Sequence, residues 1–257
     1  MNRISKKMSE LMENNITALI SYITAGDPSI EQTEDLVYAL ERGGSHIVEL
    51  GIPHSDPVAD GPVVQDAVQR SLSAGTKIKD IFECVRRIRL NSQVPIAFLV
   101  YYNMIHAYGV KNFVEECARV GVDGLVIPDL PLEERDEITP YLTGDKVALI
   151  PLVAPTSKSR IKKVTNGGSG FVYCVSSMGV TGQESVFHKD INLFLKTVRQ
   201  STELPIAVGF GISSKADVER FKGLVDGVII GSAIIKEIYR CKADLQEVEK
   251  IVSQLIL

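Results

Sequence analysis

Eight short apolar runs rich in β-forming residues recur along the chain, at residues 19–24, 46–50, 95–101, 124–127, 147–151, 170–175, 205–209 and 227–230. Between them the apolar spacing changes to that of helices, as in Ile30, Thr33, Val37 and Leu40, or Phe113, Cys117 and Val120. Helix start and stop signals fall in the same intervals: Ser29 followed by Gln32, Gly43-Gly44, and Ser214 followed by Asp217. A strand-then-helix unit repeated eight times demands parallel strands joined by right-handed crossovers. At 257 residues the natural closure is an α/β fold of the (β/α)8 TIM barrel type. An open doubly wound sheet is the competing architecture. No GxGxxG follows the first run, Gly209-Phe210-Gly211-Ile212-Ser213-Ser214 stops short of one, and GxxxxGK[ST] is absent. Ile4, Met8 and Leu11 form one apolar stripe, which predicts an extra N-terminal helix packed across one end of the barrel. No linker, low-complexity tract or shift in composition breaks the chain, so residues 1–257 are expected to form a single domain.

A formal charge of −4 without any Lys/Arg-rich block argues against nucleic acid or an acidic membrane surface as the main partner. The basic start, Met1 to Lys7, is followed by Glu10 and Glu13 rather than by an apolar segment, and no stretch approaches the roughly 20 apolar residues of a membrane span. A cytoplasmic location is expected. Cys84, Cys117, Cys174 and Cys241 contain no CxxC pair, and His46, His54, His106 and His188 contain no HxH or HExxH. Buried thiols are therefore expected, and no metal is required.

In such a barrel the active site lies where the strands end, so the loops after the runs carry the candidates. Glu49 shares a strand face with Ile47; if that face points inward, the carboxyl sits at the upper rim against apolar neighbours and its pKa rises. Asp60 follows two prolines in a stiff loop just before Gly61-Pro62, where it can be aimed into the barrel or can cap the next helix. Glu49 could equally be paired with a buried base, and Asp56 could serve only as a turn former before Pro57. Gly179-Val180-Thr181-Gly182, Gly209-Phe210-Gly211 and Gly231-Ser232 follow the sixth, seventh and eighth runs, the last opening a short helix at Ser232. That is the placement of a phosphate site, although each glycine pair alone reads as a tight turn. Residues 178–188 are long enough to close over the site as a lid.

Thr24-Ala25-Gly26-Asp27-Pro28, Glu49-Leu50-Gly51-Ile52-Pro53 with Ser55-Asp56-Pro57, Ala59-Asp60-Gly61-Pro62, Pro128-Asp129-Leu130-Pro131, Gly179-Val180-Thr181-Gly182 and Gly209-Phe210-Gly211-Ile212-Ser213 occur in that order. Together they closely resemble the tryptophan synthase alpha chain, from the first helix to Ile235 or beyond. The resemblance implies a lyase that cleaves indole-3-glycerol phosphate to indole and glyceraldehyde 3-phosphate. By residue-for-residue match, Glu49 is the general acid/base and Asp60 the carboxylate that accepts the indole N–H. Tyr22, Leu99, Tyr101 and Tyr173 line the indole pocket, Thr181 belongs to the lid, and Gly182, Gly211, Gly231 and Ser232 offer donors to the phosphate. The resemblance further implies an αββα heterotetramer in which indole passes to a beta chain carrying pyridoxal phosphate. This chain itself needs no cofactor, and Asp56, Pro57 and the lid are its contact elements.

Three positions depart from the family's usual pattern. His46 stands in place of Asp, His54 in place of Phe, and Tyr22 where Phe is common. His46, and the polar, titratable His54 beside the catalytic loop, keep open a second reading, an alpha subunit with a feeble lyase step that acts mainly by binding and activating the beta chain. A third is another phosphate-binding barrel, such as an isomerase of a phosphorylated sugar.

Overall fold

The computed structural model describes residues 2–142, 145–176, 191–209 and 211–256. Nine parallel strands form one sheet: β1 (Ala18–Thr24), β2 (Ile47–Gly51), β3 (Ile96–Leu99), β4 (Gly124–Val126), β5 (Ala148–Leu149), β6 (Leu152–Val153), β7 (Val172–Val175), β8 (Ile206–Gly209) and β9 (Gly227–Ile230). Their order is β5-β4-β3-β2-β1-β9-β8-β7-β6, so the two edges, β5 and β6, are consecutive in the chain. They are one stave, broken where Pro151 cannot donate to a ladder. Around the break Ile150 N–H donates to Leu125 O at 2.9 Å, while Leu149 O accepts from Ser169 N–H at 3.0 Å and Pro151 O from Tyr173 N–H at 2.9 Å. Those bonds tie the stave to β4 on one side and to the chain at β7 on the other. The ring is closed, and the expected eight-stave barrel is the fold.

Alternation along each strand divides the core in two. Leu19, Ile23, Val48, Leu50, Phe98, Leu125 and Val172 face the helices; Ala18, Ile20, Ile47, Ala97, Val126, Ala148 and Ile229 fill the barrel interior. The interior's lower end is stoppered by α1 (Arg3–Glu13), capped by Asn2 accepting from Ser5 N–H, with Ile4, Met8 and Leu11 buried among those inward residues. Asp123, 1 % exposed, latches this plug: it accepts from Arg3 at 3.0 Å, from Arg89 at 2.9 Å and from Ile96 N–H at 2.9 Å. The N-terminal helix thus sits across one end, as its stripe predicts.

The outer layer is less regular than eight equal helices. β2 is followed by α3 (Pro62–Ser73) and α4 (Ile78–Asn91), β3 by α5 (Tyr102–Tyr108) and α6 (Val110–Val120), and β9 by α10 (Ser232–Arg240) and α11 (Leu245–Ser253), while the short α7 (Ile161–Thr165) lies between β6 and β7 and α8 (Ile191–Arg199) between β7 and β8. Among the described residues after β4 come only 3-10 turns, Leu132–Glu137 and Thr139–Tyr141, with Pro131 before the first and Pro140 inside the second. Proline removes the donors and blocks the backbone an α-helix would need there. α2 (Ile30–Arg42) begins where Ser29 accepts from Gln32 N–H, and α9 (Lys215–Phe221) has the full reciprocal box between Ser214 and Asp217. Cys84, Cys117 and Cys174 are buried thiols and Cys241 is half-buried.

His46 has a structural task at the foot of β2. Its Nδ1 accepts from Leu19 N–H at 2.9 Å, which requires the unprotonated ring. Burial, followed by the charge of Lys7, lowers its pKa, while Glu10 opposes the shift. The unfolded chain therefore takes up this proton first as pH falls, so the contribution of His46 is complete above about pH 6.5 and is lost below it. Between pH 7 and pH 5 the melting temperature of wild type should fall further than that of His46→Asn, whose side-chain oxygen accepts at any pH. Equal falls would remove the role assigned to this ring.

Candidate active site

The inward face of β2 brings Ile47, Glu49 and Gly51 up the barrel, with Ile47 low in the plug layer and Gly51 at the mouth. Glu49 lies between Tyr22 of β1 and Ala97 of β3 in register. It is 1 % exposed, and neither carboxyl oxygen has a hydrogen-bond partner. Among the described residues no base is paired with it, which goes against the buried-ion-pair reading. Burial, reinforced by the charge of Asp60, raises its pKa to about 8. The carboxyl is therefore neutral at pH 7 and ready to give a proton.

Asp60 arrives from the loop after β2. Its N–H donates to Pro57 O at 3.0 Å and its carbonyl accepts from Gln65 Nε2 at 2.8 Å, so the backbone is held on both sides. Helix α3 is capped by Gly61 without any side-chain bond, so Asp60 is not its cap. Its carboxylate instead faces inward and accepts from the Tyr101 hydroxyl at 3.3 Å, while that hydroxyl accepts from Ala59 N–H at 3.0 Å. Burial raises the Asp60 pKa to about 6 and the Tyr101 bond restrains the rise. The same two groups push the Tyr101 phenol upward, burial first and then Asp60, so it remains a donor. The His54 ring packs on Tyr101 at 5.3 Å between centroids, keeping an aromatic contact at this departing position. Asp56 is exposed and forms the turn, with Val58 N–H donating to its carbonyl at 2.9 Å.

One cavity gathers most of the predicted residues. Tyr22, Leu99, Tyr173 and Asp60 form its walls, and Gly211, Gly231 and Ser232 its other end; Glu49 lies buried beside Tyr22. Tyr101 reaches it through Asp60. Val64, Ile212 and Ile229 also line it and were not singled out from sequence, being apolar residues that read as ordinary core. Alternation on β9 is the one signal that could have found Ile229, two residues before Gly231. Thr181, Gly182 and the lid span 178–188 lie outside the described residues. A wider cleft opens between residues 127–132 and 149–164, but its Asp129 carboxyl is committed to Tyr102 N–H at 2.8 Å and no second acid faces it.

Two glycines make room for the tyrosines that line the cavity. A Cβ at Gly51 would stand 2.1 Å from the Tyr22 hydroxyl, and one at Gly209 would stand 2.7 Å from that of Tyr173. Each tyrosine leans over the end of the neighbouring strand, which must lack a side chain there. Gly51→Ala should push the Tyr22 ring into the cavity and cut kcat/KM at least about tenfold, on the order of 1.4 kcal/mol. Its melting temperature should stay near that of wild type; unchanged steady-state kinetics would show that Tyr22 yields without cost. At the opposite end Gly211 adopts φ +76°, and α10 begins at Gly231 without a side-chain cap. Its first-turn N–H groups, beside the Ser232 hydroxyl, suit an anion.

The family profile described as Tryptophan synthase alpha chain matches residues 8–256. The chain belongs to the tryptophan synthase alpha chain family. It is 52 % identical over 258 residues to the tryptophan synthase alpha chain of Thermoanaerobacter sp. (strain X514), covering 99 % of this chain and 98 % of that one. It is 49 % identical over 251 residues to that of Clostridium kluyveri, covering 98 % and 95 %. Among solved structures, tryptophan synthase subunit alpha from Legionella pneumophila superposes with a TM-score of 0.90 at 33 % identity, covering 99 % of this chain and 97 % of that one. Mycobacterium tuberculosis tryptophan synthase gives 0.91 at 30 % identity, covering 99 % and 96 %. As a tryptophan synthase alpha chain it is a carbon–carbon lyase that cleaves indole-3-glycerol phosphate by a retro-aldol reaction in tryptophan biosynthesis.

Proposed function

We propose that Glu49 and Asp60 divide the alpha-chain cleavage between them. Glu49, neutral at pH 7, delivers its proton to indole C3, and positive charge develops at the ring nitrogen. Asp60, ionised at that pH and anchored by Tyr101, accepts the ring N–H and stabilises the charge. The Glu49 carboxylate so formed then removes the glyceryl hydroxyl proton as the C–C bond breaks, which releases indole and glyceraldehyde 3-phosphate and returns Glu49 to its neutral form. The observation that carries this reading is a pair of buried acids in unlike surroundings: Asp60, which lines the cavity and is held by a phenol, and Glu49, buried without a partner beside the cavity residue Tyr22. Tyr22, Leu99 and Tyr173 sandwich the indole, and Gly211, Gly231 and Ser232 hold the phosphate.

The chain acts with a beta chain in an αββα assembly, to which it passes indole. The exposed loop at Asp56, Pro57 and Val58, the last 76 % exposed, is the contact element. Pyridoxal phosphate belongs to the beta chain, this chain carries no cofactor, and the assembly works in the cytoplasm. Among the described residues no helix is long and apolar enough to cross a membrane. Nothing at the site favours the reading as a partner-only subunit.

Indole release from indole-3-glycerol phosphate, measured with and without beta chain, tests the assignment. The profile of kcat/KM against pH should be bell-shaped, falling below about 6 as Asp60 protonates and above about 8 as Glu49 ionises. A profile flat from pH 5 to pH 9 would contradict it.

A further inference from the structure

Among the described residues four buried side-chain polar atoms have no hydrogen-bond partner, and three of them belong to diagonal neighbours on the adjacent strands β1 and β2: both oxygens of Glu49 and Oγ1 of Thr24. Thr24 is 1 % exposed and follows Tyr22 by two on β1, so both occupy the same face of the strand. It pairs in register with Gly51, as Tyr22 pairs with Glu49. Gly51 has no side chain, and the Tyr22 hydroxyl leans over the place where one would stand. A phenol, a threonine hydroxyl and a carboxyl therefore surround one bare Cα on adjacent strands. The Thr24 hydroxyl also opposes the rise that burial imposes on the Tyr22 pKa, which places the two hydroxyls side by side. Beside the Tyr22 hydroxyl the Thr24 hydroxyl still has capacity for a further bond, and buried hydroxyls seldom leave such capacity unused.

We propose that Thr24 is a positioning residue for Glu49, its hydroxyl and the Glu49 carboxyl sharing one buried water that keeps the carboxyl aimed into the cavity. Thr24 and Glu49 are diagonal neighbours with no direct bond between them, and a single water is the bridge that would serve both. Tyr22 fixes the third side and fills the space above Gly51. The charged or titratable groups facing Glu49 are Asp60 from the following loop, Tyr22 of β1 and Tyr173 of β7; no base among the described residues is paired with it. The inference rests on Glu49 as the acid/base of the reaction.

Thr24→Val keeps the shape and removes the hydroxyl. In the complex with beta chain it should lower kcat about tenfold, the scale of one hydrogen bond to a charged group, with KM changed less than about twofold. Losing a donor to the ionised carboxyl should move the alkaline limb of the pH profile upward. Thr24→Ser should restore both rate and limb. Should the valine variant fail to fold, Thr24→Ala against Thr24→Ser makes the same comparison. A variant lacking the hydroxyl that keeps the wild-type limb, or a serine variant as impaired as valine, would overturn the proposal. Carbon-13 titration of the Glu49 carboxyl separates this outcome from failure of the catalytic reading. The midpoint should differ between wild type and Thr24→Val even if Glu49→Gln proves fully active.

Discussion

Glu49→Gln should fold, bind substrate and release indole at least about a thousandfold more slowly than wild type, within the range general acid–base groups contribute. Glutamine matches the shape of the carboxyl and its side chain has no proton to give to C3. Tyr22 and Ala97 flank it in register, and burial raises the phenols of Tyr22 and Tyr173 well above their ordinary range, so neither is acid enough to take over. Steady-state indole release with beta chain present is the measurement; a rate within tenfold of wild type would mean another group moves the proton. The same substitution has a stability signature. Glu49 ionises in the unfolded chain near pH 4.5 and in the folded chain only near 8, so rising pH across that interval favours the unfolded state. Wild type should lose on the order of a few kcal/mol between pH 4.5 and 8 through this group, and Glu49→Gln should not. Denaturant midpoints at pH 5 and pH 8 give the comparison: a steeper decline in wild type supports a carboxyl strained by burial, and parallel declines count against it.

Asp60→Asn should cost about a hundredfold to a thousandfold in kcat, the scale of removing one preorganised charge from a developing one. Asparagine can still accept from the Tyr101 hydroxyl, so the loop keeps its clamp from Ala59 through Tyr101. It cannot present a negative charge to the ring N–H, and its amide donors compete with that N–H. The acid limb near pH 6 should disappear with the carboxyl that causes it. Since Asp60 acts on charge that appears during the reaction, kcat should fall more than KM rises. An acid limb that persists in Asp60→Asn would assign it to another group.

Much of the barrel was legible because strands buried on both faces must read as continuous apolar runs, and helices between them must show an apolar stripe. The leading helix was legible for the same reason, through Ile4, Met8 and Leu11. The break in the fifth stave was not: residues 147–151 look like one strand, and only the ladder shows that Ile150 and Pro151 turn it between two neighbours. Nor did the pattern show that the segment after β4 winds as 3-10 turns, although Pro131 and Pro140 were there to warn of it. At the site, ordered motifs pointed to Glu49 and Asp60, while their environments could come only from packing. Whether Asp60 capped a helix depended on Gly61 taking that place, and whether Glu49 had a base beside it depended on residues distant in sequence. Val64 and Ile229 escaped notice because an apolar residue carries no mark of which cavity it will line.

Burial holds the Glu49 carboxyl neutral at pH 7, and every step assigned to it depends on that. Specific carbon-13 labelling of glutamate side chains, with Glu49→Gln used to assign the resonance, allows this carboxyl to be titrated directly in the folded protein. The midpoint should lie near 8. A midpoint near 4.5, the ordinary value for glutamate, would contradict it.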